Sequence, residues 1–230
     1  MKWHFATIIP VLLAASITSC KKDNSLTNNA TAGKPSVAFQ LRATNPSSFV
    51  NRTAARTVGI SILWTSAKAS VSLLKFEAEN LGAEVEFKSN VQQTIDLFDS
   101  TNSLGNVSIP AGTYSKVEFK LQLSPNGNNP ALELKGQFND GTTTTNIIFR
   151  ATEMIEVKGE KANVTINDSI LHKAITSMDL AAINKGITAS ALSNAVKTNG
   201  DVLISPNVNV DLYDIIVRNL RDLGEEEDFD

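Results

Sequence analysis

Few residues in this 230-residue chain could carry out acid–base or nucleophilic chemistry. Its two histidines are His4, in an apolar amino-terminal stretch, and His172. A zinc site with two or three imidazoles cannot be built in one chain around His172 alone. A Ser-His-Asp triad would also have to use His172, and no nucleophile-elbow motif lies near it. We therefore predict that His172 is an exposed or partly packed residue without a catalytic role, and we predict no metal and no cofactor.

Paired carboxylates are the remaining candidates for catalysis. Glu77 and Glu79 would share one face of a strand, as would Glu84 and Glu86, because side chains alternate across a strand. A glycosidase instead needs two carboxyl groups that face each other across a cleft, about 5–10 Å apart. Neighbouring carboxylates on one face are more typical of a solvated surface. We therefore predict that the protein is not an enzyme, and a carboxylate-dependent hydrolase is the least favoured alternative.

The only cysteine, Cys20, lies at the end of an amino-terminal targeting segment. Lys2 gives the segment a positive start, and residues 5–17 are apolar apart from Pro10 and two small polar residues. This stretch is shorter than the roughly 20 residues of a membrane-spanning helix, but it is typical of a signal peptide. Residues 17–20, Ile-Thr-Ser-Cys, resemble the bacterial lipobox. The resemblance implies that residues 1–19 are a signal peptide and that the Cys20 thiol receives a lipid.

Residues 20–35 are predicted to form a lipidated cysteine and a flexible tether, because they contain almost no large apolar side chain. Acyl chains on Cys20 would hold the protein at a membrane through their buried methylene groups. With Cys20 acylated, we expect no disulfide. Residues 19–23, Ser-Cys-Lys-Lys-Asp, resemble Bacteroidota lipoproteins, in which a charged stretch after the cysteine is associated with surface export. The predicted location is the outer membrane, on its periplasmic face or at the cell surface.

Apolar and polar residues alternate over much of 36–168, which indicates β-strands. The clearest case is Tyr114–Leu123, where Val117, Phe119 and Leu121 alternate with charged residues. One apolar and one polar face are typical of an antiparallel strand that covers a core. Many short strands separated by turn signals predict a mainly β fold, here an antiparallel β-sandwich domain over 36–168. The other predicted strands are Val37–Leu41, Ile60–Trp64, Val71–Ala78, Glu84–Lys88, Thr94–Phe98, Leu132–Phe138, Asn146–Arg150, Ile155–Lys158 and Asn163–Ile166.

Beyond residue 168 the pattern changes, and we predict a helical carboxy-terminal segment over 169–224 that packs on the sandwich. Its clearest helix is Asp211–Gly224, where apolar residues recur at three- and four-residue steps. Asp211 is the predicted N-cap of this helix. Shorter helices are predicted at Leu180–Asn184 and Ala189–Val196. Residues 225–230 are predicted to be an acidic disordered tail.

Three short motifs follow one another along the predicted strands. They are Ile-Asp-Leu at 95–97, Leu-Gly at 104–105 and Ile-Pro-Ala-Gly-Thr-Tyr at 109–114, and Val117 and Phe119 follow them. The series resembles a family of Bacteroidota envelope lipoproteins with a domain of unknown function. The Asn-Gly that often follows the first strand in that family is missing here, and Glu118 stands where a basic residue is often seen. The resemblance implies a sandwich of immunoglobulin or transthyretin type at the cell surface, and it brings no activity.

Charge and aromatic content narrow the predicted function. With a net charge of −3 and no basic stripe, the chain is not predicted to bind nucleic acid. Trp64 is predicted to be buried because Ile62 and Leu63 precede it, so it would not form a platform for a sugar. We therefore predict a non-catalytic, lipid-anchored envelope protein that binds or scaffolds an envelope protein or a glycan. The alternative is a fimbrial-type structural subunit or anchor, matured by a cut at Arg52 or Arg56.

Two tripeptides, Asp-Ser-Thr at 99–101 and Asp-Ser-Ile at 168–170, resemble short O-glycosylation sites of Bacteroidota, which makes Ser100 and Ser169 candidate modification sites. The assignment predicts that native protein is heavier than its polypeptide by at least one hexose-scale mass. The double variant Ser100→Ala with Ser169→Ala should lose that extra mass. Intact-mass spectrometry of both proteins checks this, and native protein without added mass would end the assignment.

Overall fold

The computed structural model describes residues 35–49, 61–80, 83–167, 171–223 and 227–229. Strands account for most of the regular structure of these residues, and three helices lie near the carboxyl end. The helices are α1 (Leu180–Ile183), α2 (Ala189–Ser193) and α3 (Val210–Arg221). The strands are β1 (Ser36–Thr44), β2 (Ser47–Phe49), β3 (Ser61–Asn80), β4 (Ala83–Asp96), β5 (Asn106–Ser108), β6 (Gly112–Leu123), β7 (Leu132–Asn139), β8 (Thr144–Ala151), β9 (Ile155–Ile166), β10 (Leu171–Asp179), β11 (Lys197–Thr198), β12 (Asp201–Ile204) and β13 (Glu227–Phe229).

The strands form two sheets that pack as a β-sandwich, as predicted. The first sheet has the order β13-β10-β1-β5, and the second has the order β11-β12-β8-β7-β3-β6-β9, with β2 and β4 also paired to β3. The prediction of purely antiparallel pairing is wrong for two pairs, because β1 runs parallel to β10 and β12 runs parallel to β8. Both sheets are therefore mixed.

Aromatic packing between the two sheets marks the centre of the core. Phe39 of β1 meets Phe76 of β3 and Phe119 of β6 edge to face, with ring centroids 5.7 and 5.5 Å apart. All three rings are buried. Burying a side chain of this size contributes about 1.5–3 kcal/mol, and edge-to-face contacts add about 0.5–1.5 kcal/mol per pair. The contacts show that β1 covers the inner face of the β3–β6 pair.

The 20-residue strand β3 links two regions of the second sheet. Residues 61–69 pair with β7, and residues 71–79 pair with β6, with a bulge between Val71 and Leu73. Trp64 in the first region is 1% exposed, which confirms its predicted burial. Opposite it stands Gly136, where an added Cβ would lie 2.2 Å from the Leu63 carbonyl oxygen. The backbone of β7 therefore requires glycine at this position.

Local backbone irregularities explain why several strands are longer than predicted. The predicted strands at 60–64 and 71–78 are one strand, β3, and those at 84–88 and 94–98 are joined in β4. The two predicted at 155–158 and 163–166 are joined in β9. Gln92 in β4 has φ +50° and Asn163 in β9 has φ +57°. An irregular residue of this kind shifts the alternation of side chains, so one strand looks like two in the sequence.

The carboxy-terminal helix packs on the second sheet, as predicted for this segment. Tyr213 of α3 stacks on Phe149 of β8 with ring centroids 5.6 Å apart, and Ile216 and Leu220 are buried.

No helix of the described ranges is long and apolar enough to cross a membrane.

The predicted N-cap of α3 is wrong. Asn209, with φ +55°, holds that position, and Asp211 lies in the first turn. Asn209 makes no side-chain bond to the helix; its Nδ2 donates to the carbonyls of Val196 and Leu203 at 2.9 and 2.7 Å. These long-range bonds fix where the helix begins.

The predicted helical segment 169–224 also contains strands, which corrects the prediction. Strand β10 pairs with β1 over its whole length, and β12 pairs with β8. The alternation is weak in β10 because Ala174, Ile175 and Thr176 are all buried, and a strand covered on both faces shows no polar side. The tail prediction is wrong for β13, which pairs with β10. Residues 168–170, 224–226 and 230 lie outside the described residues.

The corner before β6 is held by Tyr114, which is 2% exposed. Its hydroxyl donates a hydrogen bond of 2.8 Å to the carbonyl oxygen of Pro110. This bond closes the Pro-Ala-Gly turn against the start of the strand, so Tyr114 has a structural role.

We expect Tyr114→Phe to lower the free energy of unfolding by about 1 kcal/mol, because the part-buried hydrogen bond from the Tyr114 hydroxyl to the Pro110 carbonyl is lost. Tyr213→Phe is the matched control: the Tyr213 hydroxyl is buried without a hydrogen-bond partner of normal geometry. Burial is the main cause that raises the pKa of Tyr213 to about 12. Urea unfolding of both variants measures the difference, and equal losses would contradict the role given to Tyr114.

Candidate functional site

The four carboxylates considered for catalysis lie together on the outer face of the second sheet. Glu77 stands opposite Glu86, and Glu79 stands opposite Glu84, in the β3–β4 pair. They line an open sheet face, as the alternation predicted, and they do not face each other across a cleft. This placement is that of a solvated surface.

Two rows of like charge cross this outer face. The strand register aligns four glutamates across β4, β3, β6 and β9. Two residues away on each strand, it aligns four lysines. The glutamate row is Glu86, Glu77, Glu118 and Glu160, and the lysine row is Lys88, Lys75, Lys120 and Lys158. Like charges directly opposite each other destabilise a sheet. The rows are therefore stable only because each lies beside charges of the opposite sign.

Ion pairs along and between the strands compensate the repulsion. Lys75 pairs with Glu77 on its own strand and lies 3.5 Å from Glu86 on β4. Lys116 lies 3.0 Å from both Glu118 and Glu160, so it connects β6 to β9. Each of these lysines bridges two glutamates on the same face and so offsets the repulsion between them.

These bridges also set the acidity of the two most central glutamates. A hydrogen bond from Lys75 holds the pKa of Glu77 below its ordinary value, against the opposing effect of partial burial. A hydrogen bond from Lys120 lowers the pKa of Glu118 in the same way. A general acid working near neutral pH needs a raised carboxyl pKa. The pKa values of Glu77 and Glu118 are lowered instead, so these carboxylates stay ionised and stabilise the sheet through their ion pairs.

His172 is buried, so the prediction that it is exposed or partly packed is wrong in this respect. It lies in β10 and is 9% exposed, and its Nε2 accepts a 3.0 Å hydrogen bond from the Asn167 backbone N–H. The imidazole thus satisfies a backbone donor at the end of β9. Among the residues that the structure describes, no group of three or more His, Cys, Asp or Glu side chains could hold a metal ion.

Ser100 lies exposed in the turn after β4. Its carbonyl accepts a 2.9 Å bond from Arg42, and the Asp99 carboxylate accepts 2.8 and 2.6 Å bonds from the backbone and hydroxyl of Thr101. The turn is thus ordered around an accessible serine. Ser169, the other candidate for glycosylation, lies outside the described residues, as do the lipidation site Cys20 and both candidate cleavage sites.

A polar cavity beside α1 is the feature that sequence reasoning missed. It has a volume of about 320 Å³ and is lined by Ser48, Ala181, Ala182, Asn184, Lys185, Gly186 and Ile187. Asn184 is 6% exposed; its Nδ2 donates to the Ser48 hydroxyl at 2.7 Å, and its Oδ1 is buried without a hydrogen-bond partner. The sequence gives no local signal for this site because Ser48 and Asn184 are 136 positions apart.

No protein-family model, no curated protein and no solved structure matches this chain. The resemblance to envelope lipoproteins therefore stays a prediction from its motifs.

The ion-paired face predicts a loss of stability in acid. Glu77 and Glu118 have lowered pKa values in the folded protein, so their contribution is present above the ordinary value of 4.5 and is lost as the pH falls below it. We expect Glu118→Gln to lower the free energy of unfolding at neutral pH by up to about 1 kcal/mol. The difference from the unmodified protein should shrink progressively as the pH falls below 4.5, for example at about pH 3.

Chemical unfolding at the two pH values measures this effect. Glu156→Gln is the matched control, because Glu156 is half exposed and pairs with Lys158 alone at 3.1 Å. Its effect should be smaller at neutral pH. A Glu118→Gln effect of the same size at both pH values would contradict the electrostatic explanation.

Proposed function

We propose that the protein is a lipid-anchored, non-catalytic module of the bacterial envelope that binds or scaffolds another envelope component. The observation that carries the proposal is the Ile-Thr-Ser-Cys sequence at 17–20 after a short apolar segment. The ion-paired carboxylates support the non-catalytic part, because lysines hold them in the charged state on an open face. The outer membrane, on its periplasmic face or at the cell surface, is the proposed location.

The position of β1 indicates which end of the sandwich would lie nearer the membrane if Cys20 carries a lipid. The strand starts at Ser36, which stands beside Leu171 and Ser108, and it ends at Thr44, which stands beside Asp179. A lipid on Cys20 would therefore be joined to the Ser36 end of the sandwich. If residues 20–35 form the tether that the sequence predicts, its average span would be roughly 20 Å. The Thr44 end, with α1 and the cavity, would then be the end farther from the membrane.

Replacement of the lipid-accepting thiol tests the proposal. We expect the unmodified chain, expressed in a lipoprotein-processing bacterium, to lose residues 1–19, gain acyl mass on Cys20 and sediment with membranes. Cys20→Ser should gain no acyl mass and leave the membrane fraction. Ser19→Ala is the matched control, because it keeps a small residue before the cysteine. A mature protein with a free Cys20 thiol would contradict the proposal.

A fimbrial-type subunit is the alternative, and the place of β1 in the fold favours it. Val37, Phe39 and Leu41 of β1 are fully buried between β10 and β5. A cut at Arg52 or Arg56 would separate β1 from the rest of the chain, and loss of β1 would open a slot for a strand of another subunit. Native protein that runs as a heat-sensitive ladder with an amino terminus near residue 53 or 57 would support this alternative. A monomer with an intact acylated Cys20 would contradict it.

A further inference from the structure

We infer that the cavity beside α1 is a binding site for a saccharide residue, presented at the end of the molecule away from the tether. The inference rests on the proposed function, since it names the partner of the anchored module as a glycan. It also depends on geometry that is independent of the anchor: a partly open cavity, a buried polar atom without a partner and a frame held by hydrogen bonds.

The cavity follows directly from the end of β10. Asp179, the last residue of that strand, caps α1 by accepting bonds from the N–H groups of Ala181 and Ala182 at 2.8 and 3.2 Å. Because Thr44 stands beside Asp179, α1 begins at the end of β1 opposite Ser36. The nine residues of β1 correspond to roughly 26 Å between the two ends. A ligand in the cavity would thus lie far from the start of the tether.

The frame of the cavity is fixed by bonds that leave its side chains free to act. Asn219 of α3 donates to the carbonyls of Ile183 and Lys185 at 2.9 and 2.7 Å. Gly186 adopts φ +87°, a conformation that glycine takes without strain, and it turns the chain towards the buried Ile187. The backbone N–H groups of Asn184 and Ile187 bond within this turn. The Asn184 and Ile187 N–H groups are therefore not available to a ligand, and the side chains of the lining supply polar groups for it.

Those side chains form a small, mixed set. Asn184 Oδ1 is a buried acceptor without a partner, so a ligand hydroxyl pairs with it once the Asn184 side chain turns towards the cavity. The Ser48 hydroxyl accepts from Asn184 and keeps its own proton to donate. Lys185 is exposed at the rim and carries a positive charge. The methyl groups of Ala181 and Ala182 supply an apolar wall.

A saccharide residue matches this set better than other ligand classes do. Neighbouring hydroxyls can donate to Asn184 and accept from Ser48, while the C–H groups of the ring contact the alanine methyls. A phosphate ligand would need several donors, and the lining offers one ammonium and one hydroxyl. A wholly apolar ligand would leave Asn184 Oδ1 unpaired. At about 320 Å³, the cavity is near the lower limit of ligand pockets and suits one or two sugar units.

The test is a titration of the full-length lipidated protein in detergent micelles with D-galactose, D-glucose, N-acetyl-D-glucosamine and D-galacturonate. NMR shifts of the Lys185 and Gly186 amides report binding. We expect at least one sugar to bind with a dissociation constant of the order of 1 mM, which corresponds to about −4 kcal/mol. Stronger binding of galacturonate, lost in Lys185→Ala, would show that Lys185 recognises a carboxylate. Equal binding of the neutral sugars would assign recognition to their hydroxyls.

Two variants and one control decide the site. Asn184→Ala should weaken binding at least tenfold, and Ala182→Leu should block the cavity while it keeps every polar group. Asn194→Ala is the matched control: Asn194 is exposed and its side chain donates only to Ser190, at 3.3 Å. If Asn184→Ala fails to fold, Ala182→Leu gives the answer alone. The absence of any shift up to about 50 mM sugar, or binding that survives Ala182→Leu, would overturn the inference. The acyl mass on Cys20, measured in the same sample, tests the anchor separately.

Discussion

The contact of Phe39 with Phe76 and Phe119 is the interaction on which the rest of the structure depends. It joins the sheet that contains β1 to the sheet that contains β3 and β6, and no disulfide can take its place because the only thiol is Cys20. Because β1 is the first described strand, the same contact fixes the position at which the amino-terminal segment meets the domain. The core and the end of the domain at which residues 1–35 join it thus follow from one strand.

The outer face of the second sheet shows how the side that faces water is stabilised. Aligned rows of glutamates and of lysines would repel within each row, and the bridges made by Lys75 and Lys116 reverse the balance. These bridges lower the carboxyl pKa values of Glu77 and Glu118. Carboxylates that stay charged stabilise the ion pairs, whereas proton transfer near neutral pH would need raised pKa values. A row of acidic residues across neighbouring strands therefore has a sufficient explanation in the electrostatics of the sheet.

Strands with one solvent-exposed face were predictable from the sequence, and features that depend on residues far apart in the sequence were not. Tyr114–Leu123 was correctly predicted because its charged side faces water. Strand β10 was missed because Ile175 and Thr176 are buried on adjacent positions, and β9 was divided in two because the side-chain alternation shifts at Asn163, which has φ +57°. The cap of α3 depends on bonds from Asn209 to distant carbonyls, and the cavity pairs Ser48 with Asn184. Such pairs are created by the fold and leave no local pattern.

The proposed lipid anchor would hold the domain on a membrane with its Ser36 end inward and its α1 end outward. Fluorescence quenching in vesicles that contain a lipid-linked quencher tests it most directly, with a dye on Ser108→Cys or on Lys185→Cys. Both positions are exposed, and the proposed acylation of Cys20 would leave the new cysteine as the only thiol. The account predicts vesicle-bound protein in which the dye at position 108 is quenched more strongly than the dye at 185. Equal quenching at the two positions, or protein that remains free of the vesicles, would contradict it.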